Sequence, residues 1–330
     1  MSLETVGVLG AGSWGTALAM SARMAGRQVK VVARDPAIAT SLSSGDGNPV
    51  YLPGVDIPAL SASTDPGVLS KVDCLLAVVP AQFARSAFKV VGEHLKAGTP
   101  VLLCAKGIER ETGALMTDVL GQTLPDAVPA VLSGPSFAAD VARGLPTAVT
   151  LACEDSVLGE ALMAAIGHAR FRPYWTNDLT GAEIGGAVKN VLAIACGMVE
   201  GLGLGRSAHA ALMTRGFAEM KRLAVAMGGK PETLSGLCGL GDLVLTCSSV
   251  QSRNMSFGKA LGEGQSAAQV LSGQRMVTEG AATAPAIVAL AKAHRIDMPI
   301  CQAVSSILAG DLTTHDAMHA LLSRPFRAEA

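Results

Sequence analysis

A lysine set in an apolar helix is the residue of this 330-residue chain whose surroundings best suit proton transfer. The run Gly181-Ala-Glu-Ile-Gly-Gly-Ala-Val-Lys-Asn-Val-Leu-Ala-Ile-Ala195 reads as helical, with Lys189 and Asn190 among apolar residues. On a helix the neighbours of Lys189 are Gly185, Gly186, Leu192 and Ala193. Two adjacent glycines cost a helix roughly 1 kcal/mol each relative to alanine. They leave a bare face against which another segment can lie. Apolar surroundings disfavour an ammonium and lower its pKa towards neutrality. A proton donor and acceptor for a carbonyl/alcohol pair needs that property. The competing reading is a lysine whose head snorkels out of the helix end into water.

A second chemical signal lies at the N-terminus. Val6-Gly-Val-Leu9 reads as a short strand and is followed at once by Gly10-Ala-Gly12-Ser-Trp-Gly15. A helix from about Ser13 to a cap at Gly26 and a second strand, Val29-Lys-Val-Val-Ala33, complete the unit. This is the setting in which G-x-G-x-x-G signifies dinucleotide binding. Gly10 makes the tight turn, Gly12 lets a pyrophosphate approach, and Gly15 lets helix and strand pack closely. The amides at the helix start then hold the phosphates. Trp14 either covers the cofactor or packs in the core. Arg34 stands where an NAD site usually carries an acid, and a guanidinium suits a 2′-phosphate, so NADPH is favoured. Asp35, one step later, leaves NAD possible.

Further strands read at Asp73–Val79, Val101–Cys104 and Ala130–Leu132, with extra, antiparallel strands at Thr147–Leu151 and Phe171–Trp175. Ligands bind beyond the carboxyl ends of such strands. Those ends carry Pro80, Lys106-Gly107 and Gly134-Pro135-Ser136. Lys106 therefore points where a substrate would lie, unless it is an ordinary lysine of a surface loop. From about Asn177 the strand signals stop. Helices are expected at Thr180–Val199, Ala208–Met227, Met255–Leu261, Ala281–Ala293 and Ala303–Ala309. Gly201-Leu-Gly-Leu-Gly205 follows a helix rather than a strand and reads as an inter-helix turn. Gly236-Leu-Cys-Gly-Leu-Gly-Asp242 delivers a carboxylate from a glycine-rich loop, and Ser252-Arg-Asn254 follows ten residues on. That trio is either a phosphate or polyol site or a plain Ser N-cap beside an exposed arginine.

The expected fold is therefore α/β: an N-terminal Rossmann-like doubly wound sheet with added antiparallel strands over residues 1–177, then an all-helical domain over 178–330. The totals agree. A net charge of −1 gives no electrostatic case for nucleic acid or an anionic membrane. No uninterrupted apolar run reaches the ~20 residues of a membrane span, and the first residues lack the basic head of a secretory signal. Seven cysteines without a C-x-x-C pair read as reduced thiols of a cytoplasmic protein. His315 and His319 lie four apart without a third ligand, so no metal is expected.

Taken together, these segments resemble the bacterial-type NAD(P)-dependent sn-glycerol-3-phosphate dehydrogenases. The likeness rests on Gly10–Leu18, Tyr51-Leu-Pro-Gly54, Lys106-Gly-Ile-Glu109 and Leu132-Ser-Gly-Pro-Ser-Phe137. It continues with Gly185–Asn190, Thr214–Glu219, Gly239–Cys247, Ser252-Arg-Asn254 and Glu279-Gly280. The resemblance implies that Lys189 is the catalytic proton carrier and that Lys106 contacts both cofactor and substrate. It also implies that Gly134, Ser136, Asp242, Ser252, Arg253 and Asn254 line the glycerol-phosphate site. Ser13, Trp14, Arg34, Ala138, Val277 and Glu279 would touch the cofactor, and Arg253 would reach it too. A homodimer and a role in phospholipid supply are implied as well. Val32, Met255 and Ser207-Ala-His209 depart from the family's usual residues, and the last two bear on affinity for the phosphate. The alternative is a related hydroxy-acid dehydrogenase using the same helix lysine, which would need a carboxylate clamp instead of a phosphate site.

Overall fold

The apolar runs that read as strands form one sheet in the computed structural model, which describes residues 3–272 and 278–325. Val277 lies outside the described residues. The strands are β1 (Thr5–Leu9), β2 (Gln28–Val32), β3 (Ser61–Ser63), β4 (Cys74–Ala77), β5 (Pro100–Leu103), β6 (Val128–Ser133), β7 (Thr147–Ala152) and β8 (Phe171–Thr176). Their spatial order is β3-β2-β1-β4-β5-β6-β7-β8. Strands β4 and β5 are buried along their whole length, as expected of parallel strands covered on both faces. The chain turns back on itself between β1 and β4, and this switch point opens the crevice beyond their carboxyl ends.

Two details depart from the sequence reading. β7 runs antiparallel to β6, but β8 is parallel to β7, so the added pair opposes the first six strands together. β3 carries no strand signal of its own. Its three small residues are extended only because Lys30, Val31 and Val32 of β2 offer them an edge.

In the first half of the chain the helices are α1 (Ser13–Met24), α2 (Pro36–Ser44), α3 (Ala81–Gly92), α4 (Met116–Thr123), α5 (Ala138–Ala142) and α6 (Ser156–Ile166). They leave one apolar core on each face of the sheet, around Leu18 and Phe171 on one side and Phe88 and Val119 on the other. After Thr176 the chain is helical: α7 (Leu179–Gly201), α8 (Gly205–Ala226), α9 (Pro231–Ser235), α10 (Asp242–Cys247), α11 (Arg253–Gly262), α12 (Ala267–Ser272), α13 (Glu279–Ala293), α14 (Pro299–Ala309) and α15 (Thr314–Leu322).

Helix α7 is the axis of this second part, buried without a break from Gly181 to Met198. Asp178 caps it by accepting from the Gly181 N–H at 2.8 Å. Helices α8, α10, α11 and α13 pack around it. Helix α11 comes nearest, because Gly197 and Gly258 have no side chains. A Cβ on either would fall within about 2.1 Å of a carbonyl of the other helix. By length and composition α7 could cross a membrane, although Glu183, Lys189 and Glu200 interrupt it. Of its apolar window, 94% is buried inside the fold. All seven cysteines are buried and unpaired.

Candidate active site

The glycine turn has the shape its residues foretell. Gly10 has φ +107°, and a Cβ there would lie 2.5 Å from the Val78 carbonyl at the end of β4. A Cβ on Gly15 would lie 1.8 Å from the Gly10 carbonyl, so helix and turn meet through bare backbone. Above Gly12, by contrast, nothing lies within 4 Å. Gly12 is also the N-cap of α1 and offers no side chain to its first amides. An uncapped helix start beneath open space is a fit for the phosphates of a dinucleotide.

Lys189 is 7% exposed and faces the first turn of α10. Its Nζ donates to Thr246 Oγ1 at 2.8 Å and lies 3.2 Å from Asp242 Oδ1. The other oxygen of Asp242 accepts from Lys106 Nζ at 2.7 Å. Lys106 Nζ donates as well to the Gly134 carbonyl at 2.8 Å, so the ends of β5 and β6 are tied to α10. One carboxylate thus stands between two ammonium groups. Thr246, a turn after Asp242, donates to Asp242 Oδ1 at 3.1 Å. The π-helical turn Leu237–Gly241 leads into this helix and carries the carboxylate to α7.

The glycines beside Lys189 make the approach possible. A Cβ on Gly185 would sit 2.7 Å from the Cys238 carbonyl, and one on Gly186 would sit 2.8 Å from Ser133 Oγ and 3.3 Å from Lys106 Cγ. The bare face is therefore filled by the segment that presents Asp242 and by the stem of Lys106.

The electrostatics follow from burial and from the shared carboxylate. Burial pushes the Lys189 pKa down; Asp242 opposes this, Lys106 assists it, and the result is below the ordinary lysine value. Burial alone would raise Asp242, but the adjacent Lys106 and Lys189 outweigh it and hold the carboxyl below its usual range. Asp242 therefore stays ionised while Lys189 is the softer acid.

A second network joins this cluster to α13. Asn190 Nδ2 donates to the Lys106 carbonyl at 2.9 Å, and Asn190 Oδ1 accepts from Asn254 Nδ2 at 2.9 Å. Asn254 Oδ1 in turn accepts from the Gly280 N–H at 3.0 Å. Next to Gly280, the Glu279 carboxylate accepts from the Ala81 N–H at 3.1 Å and the Lys106 N–H at 3.3 Å. The ends of β4 and β5, helix α7, and the starts of α11 and α13 are thereby locked together.

Two family models divide the chain between them. The model for the NAD-dependent glycerol-3-phosphate dehydrogenase N-terminus matches residues 5–158, and that for the C-terminus matches residues 178–319. A glycerol-3-phosphate dehydrogenase [NAD(P)+] of Caulobacter vibrioides is 57% identical over 331 aligned residues, covering 100% of each chain. The enzyme of that name from Maricaulis maris is also 57% identical, over 99% of this chain and 98% of its own. The crystal structure of glycerol-3-phosphate dehydrogenase from Coxiella burnetii superposes with a TM-score of 0.93 at 40% identity, over 98% of this chain and 99% of that one. The chain belongs to the NAD-dependent glycerol-3-phosphate dehydrogenase family.

Within that family frame, the residues singled out from the sequence fall into three groups. Lys189, Lys106, Asp242 and Gly134 meet directly. Ser136 joins them at the Gly134 carbonyl, to which its hydroxyl donates at 3.0 Å. Glu279 and Asn254 act through the network that reaches Asn190 and the Lys106 backbone. The Ser252-Arg-Asn254 trio divides: Ser252 Oγ caps α11 by accepting from the Met255 N–H at 3.2 Å, Asn254 turns inward, and Arg253 is exposed. At the glycine turn, Ser13 Oγ donates to the Tyr51 carbonyl at 2.8 Å. Trp14 packs towards Phe171, ring centroids 6.5 Å apart, and its buried Nε1 finds no partner among the described residues. Ala138 opens α5 against the core of the sheet. Arg34 is exposed just past β2, and the Asp35 carboxylate is engaged in capping α2 through the Ala37 N–H at 2.9 Å.

Sequence reasoning missed Thr246 and assigned no role to Asn190. Thr246 lies four residues from Asp242, hence on its helix face, but a buried helical threonine is too common for that spacing to signal anything. Asn190 was conspicuous as an amide in an apolar run. Besides the Gly186 carbonyl of its own helix, its partners come from segments 84 and 64 residues away, which spacing cannot show.

Proposed function

We propose that this protein interconverts dihydroxyacetone phosphate and sn-glycerol 3-phosphate with NAD(P)H. The observation that carries the reading is the cluster of half-buried Lys106 with buried Asp242 and Lys189 at the carboxyl ends of the strands, in a chain of this family. When bound, the nicotinamide would supply the hydride chemistry of the interconversion.

The rest is done by this chain's residues. Gly10, Gly12 and Gly15 give the phosphates access to the amides at the start of α1. Lys189, protonated, donates from Nζ to the oxygen of the ketone being reduced; neutral, it takes that proton back from the alcohol. Its lowered pKa makes it a readier proton donor than an ordinary lysine. Asp242 keeps the lysine head in place, and Lys106 adds positive charge where negative charge develops on oxygen. Arg253, exposed at the start of α11, would hold the substrate phosphate remote from the reacting carbon. NADPH would be preferred, because Arg34 is exposed where a 2′-phosphate would lie while Asp35 is committed to its helix. The nucleotide would be held by residues 1–177 and the substrate chemistry carried mainly by 178–330. Seven buried, unpaired thiols suit the reducing cytoplasm, where a homodimer would supply glycerol phosphate for phospholipid synthesis.

The test is the loss of NADPH absorbance with dihydroxyacetone phosphate and, separately, with 2-keto acids. Turnover of the phosphorylated ketone alone is expected. Turnover of a keto acid in its place would overturn the assignment.

A further inference from the structure

The loop that follows α2 folds back beneath the glycine turn and is fastened there by one buried side chain. Asn48 is 1% exposed. Its Nδ2 donates to the Ala11 carbonyl at 3.0 Å and to Thr16 Oγ1 at 2.8 Å, while its Oδ1 accepts from the Tyr51 N–H at 3.2 Å. Ser13 returns the tie by donating to the Tyr51 carbonyl at 2.8 Å. One amide side chain therefore joins the turn, the first helix and the loop.

The bond to Ala11 has a directional effect. In a trans peptide the C=O of one residue and the N–H of the next point opposite ways. Drawing the Ala11 carbonyl inward to Asn48 consequently turns the Gly12 N–H outward. Gly12 borders open space, since a Cβ there would meet nothing within 4 Å, and no backbone partner inside the chain takes its N–H among the hydrogen bonds of the described residues. With Thr16 on the same amide, the first turn of α1 cannot rotate independently of that peptide.

We infer that Asn48 is a positioning residue that orients the Ala11–Gly12 peptide so that the Gly12 N–H faces the pyrophosphate of the cofactor. The inference rests on the proposed use of NAD(P)H and adds to it a residue from outside the glycine motif. The pyrophosphate is common to both nucleotides, so the effect of losing Asn48 is the same for NADH and NADPH.

Nucleotide binding is measured directly by fluorescence titration of the full chain, and steady-state kinetics with dihydroxyacetone phosphate are run alongside. Asn48→Ala should weaken NADH and NADPH by the same factor, ~10-fold for two buried hydrogen bonds. At saturating nucleotide, kcat and the KM for the ketone should stay within about two-fold of wild type. If Asn48→Ala does not fold, Thr16→Val, which removes one acceptor of Asn48 and the long 3.5 Å bond from Thr16 Oγ1 to the Ala11 carbonyl but keeps the Asn48–Ala11 bond, should give a smaller loss of the same pattern. Unchanged nucleotide affinity in the folded variant overturns the inference, whatever happens to its melting temperature. So does a loss confined to NADPH, or a fall in kcat with affinity intact. A wild-type chain that binds nucleotide but does not turn over the ketone would overturn the proposed reaction and leave the Asn48 binding test standing.

Discussion

At the scale of single residues, the proposed chemistry turns on how one carboxylate is shared between two lysines. Lys189→Ala should lower kcat by ~10²–10⁴-fold with nucleotide binding kept; normal turnover would remove Lys189 from the reaction. Asp242 raises the pKa that burial and Lys106 depress. With Lys189 as the proposed proton donor, ketone reduction would need it protonated, and activity should fall as pH rises through its pKa. Asp242→Asn should therefore move this alkaline limb to lower pH, and a limb that stays put or moves up would contradict the arrangement. Arg34→Ala should weaken NADPH much more than NADH; equal losses would mean that Arg34 does not meet a 2′-phosphate. The sequence made Lys106, Lys189 and Asp242 visible as charged residues in glycine-rich or apolar settings. It could not show that Asp242 bridges both lysines, because that depends on three segments packed from distant parts of the chain.

At the scale of elements, the site exists because α7 is thin where α10 and the β5 loop approach it. Gly185→Ala places a methyl against the Cys238 carbonyl, and backbone cannot swing aside as a side chain can. The turn that delivers Asp242 should shift, and a displacement of about 1 Å can cost up to ~10²-fold in rate. Alanine favours the helix by roughly 1 kcal/mol, so kcat should fall while the circular-dichroism signal of the folded protein persists. A fully active variant would show that the contact relaxes elsewhere. Most elements were legible beforehand because their own residues specify them: β4 and β5 are continuous apolar runs, and α7 ends within two residues of its expected limits. β3 was not legible, since Ser61–Ser63 is extended by its neighbour rather than by propensity. The caps were partly legible, and Ser252 shows why: a hydroxyl before a helix serves a ligand or its own helix, and here the Met255 N–H takes it.

At the scale of the whole molecule, two buried carboxyls couple stability to pH. Glu183 on α7 accepts from the Thr117 N–H at 3.0 Å and from its hydroxyl at 2.7 Å, fastening α7 to the start of α4. Glu219 on α8 accepts from the Ile300 and Cys301 N–H groups at 2.8 and 3.2 Å, fastening α8 to α14. Burial pushes both to about 7, against the hydrogen bonds that favour ionisation. Between ~4.5 and ~7 the folded chain therefore holds protons that the unfolded chain has released. Folding stability should fall as pH rises through this window, by on the order of 2 kcal/mol per group from pH 5 to 8. Urea denaturation of Glu183→Gln and Glu219→Gln should show a flatter dependence than wild type over the same range. An equal slope in both variants would mean that these carboxyls titrate near their ordinary value.

The burial of every cysteine gives the chain an internal set of clocks. Cys74, Cys104 and Cys153 lie in or beside the sheet, and Cys196, Cys247 and Cys301 lie among the helices, while Cys238 sits where the two meet, packed against the sheet from the turn before α10. An alkylating reagent can reach any of them only when its surroundings open. The order in which the seven acquire label, resolved by peptide mass, would therefore tell which half of the molecule loosens first and whether the two ever part company.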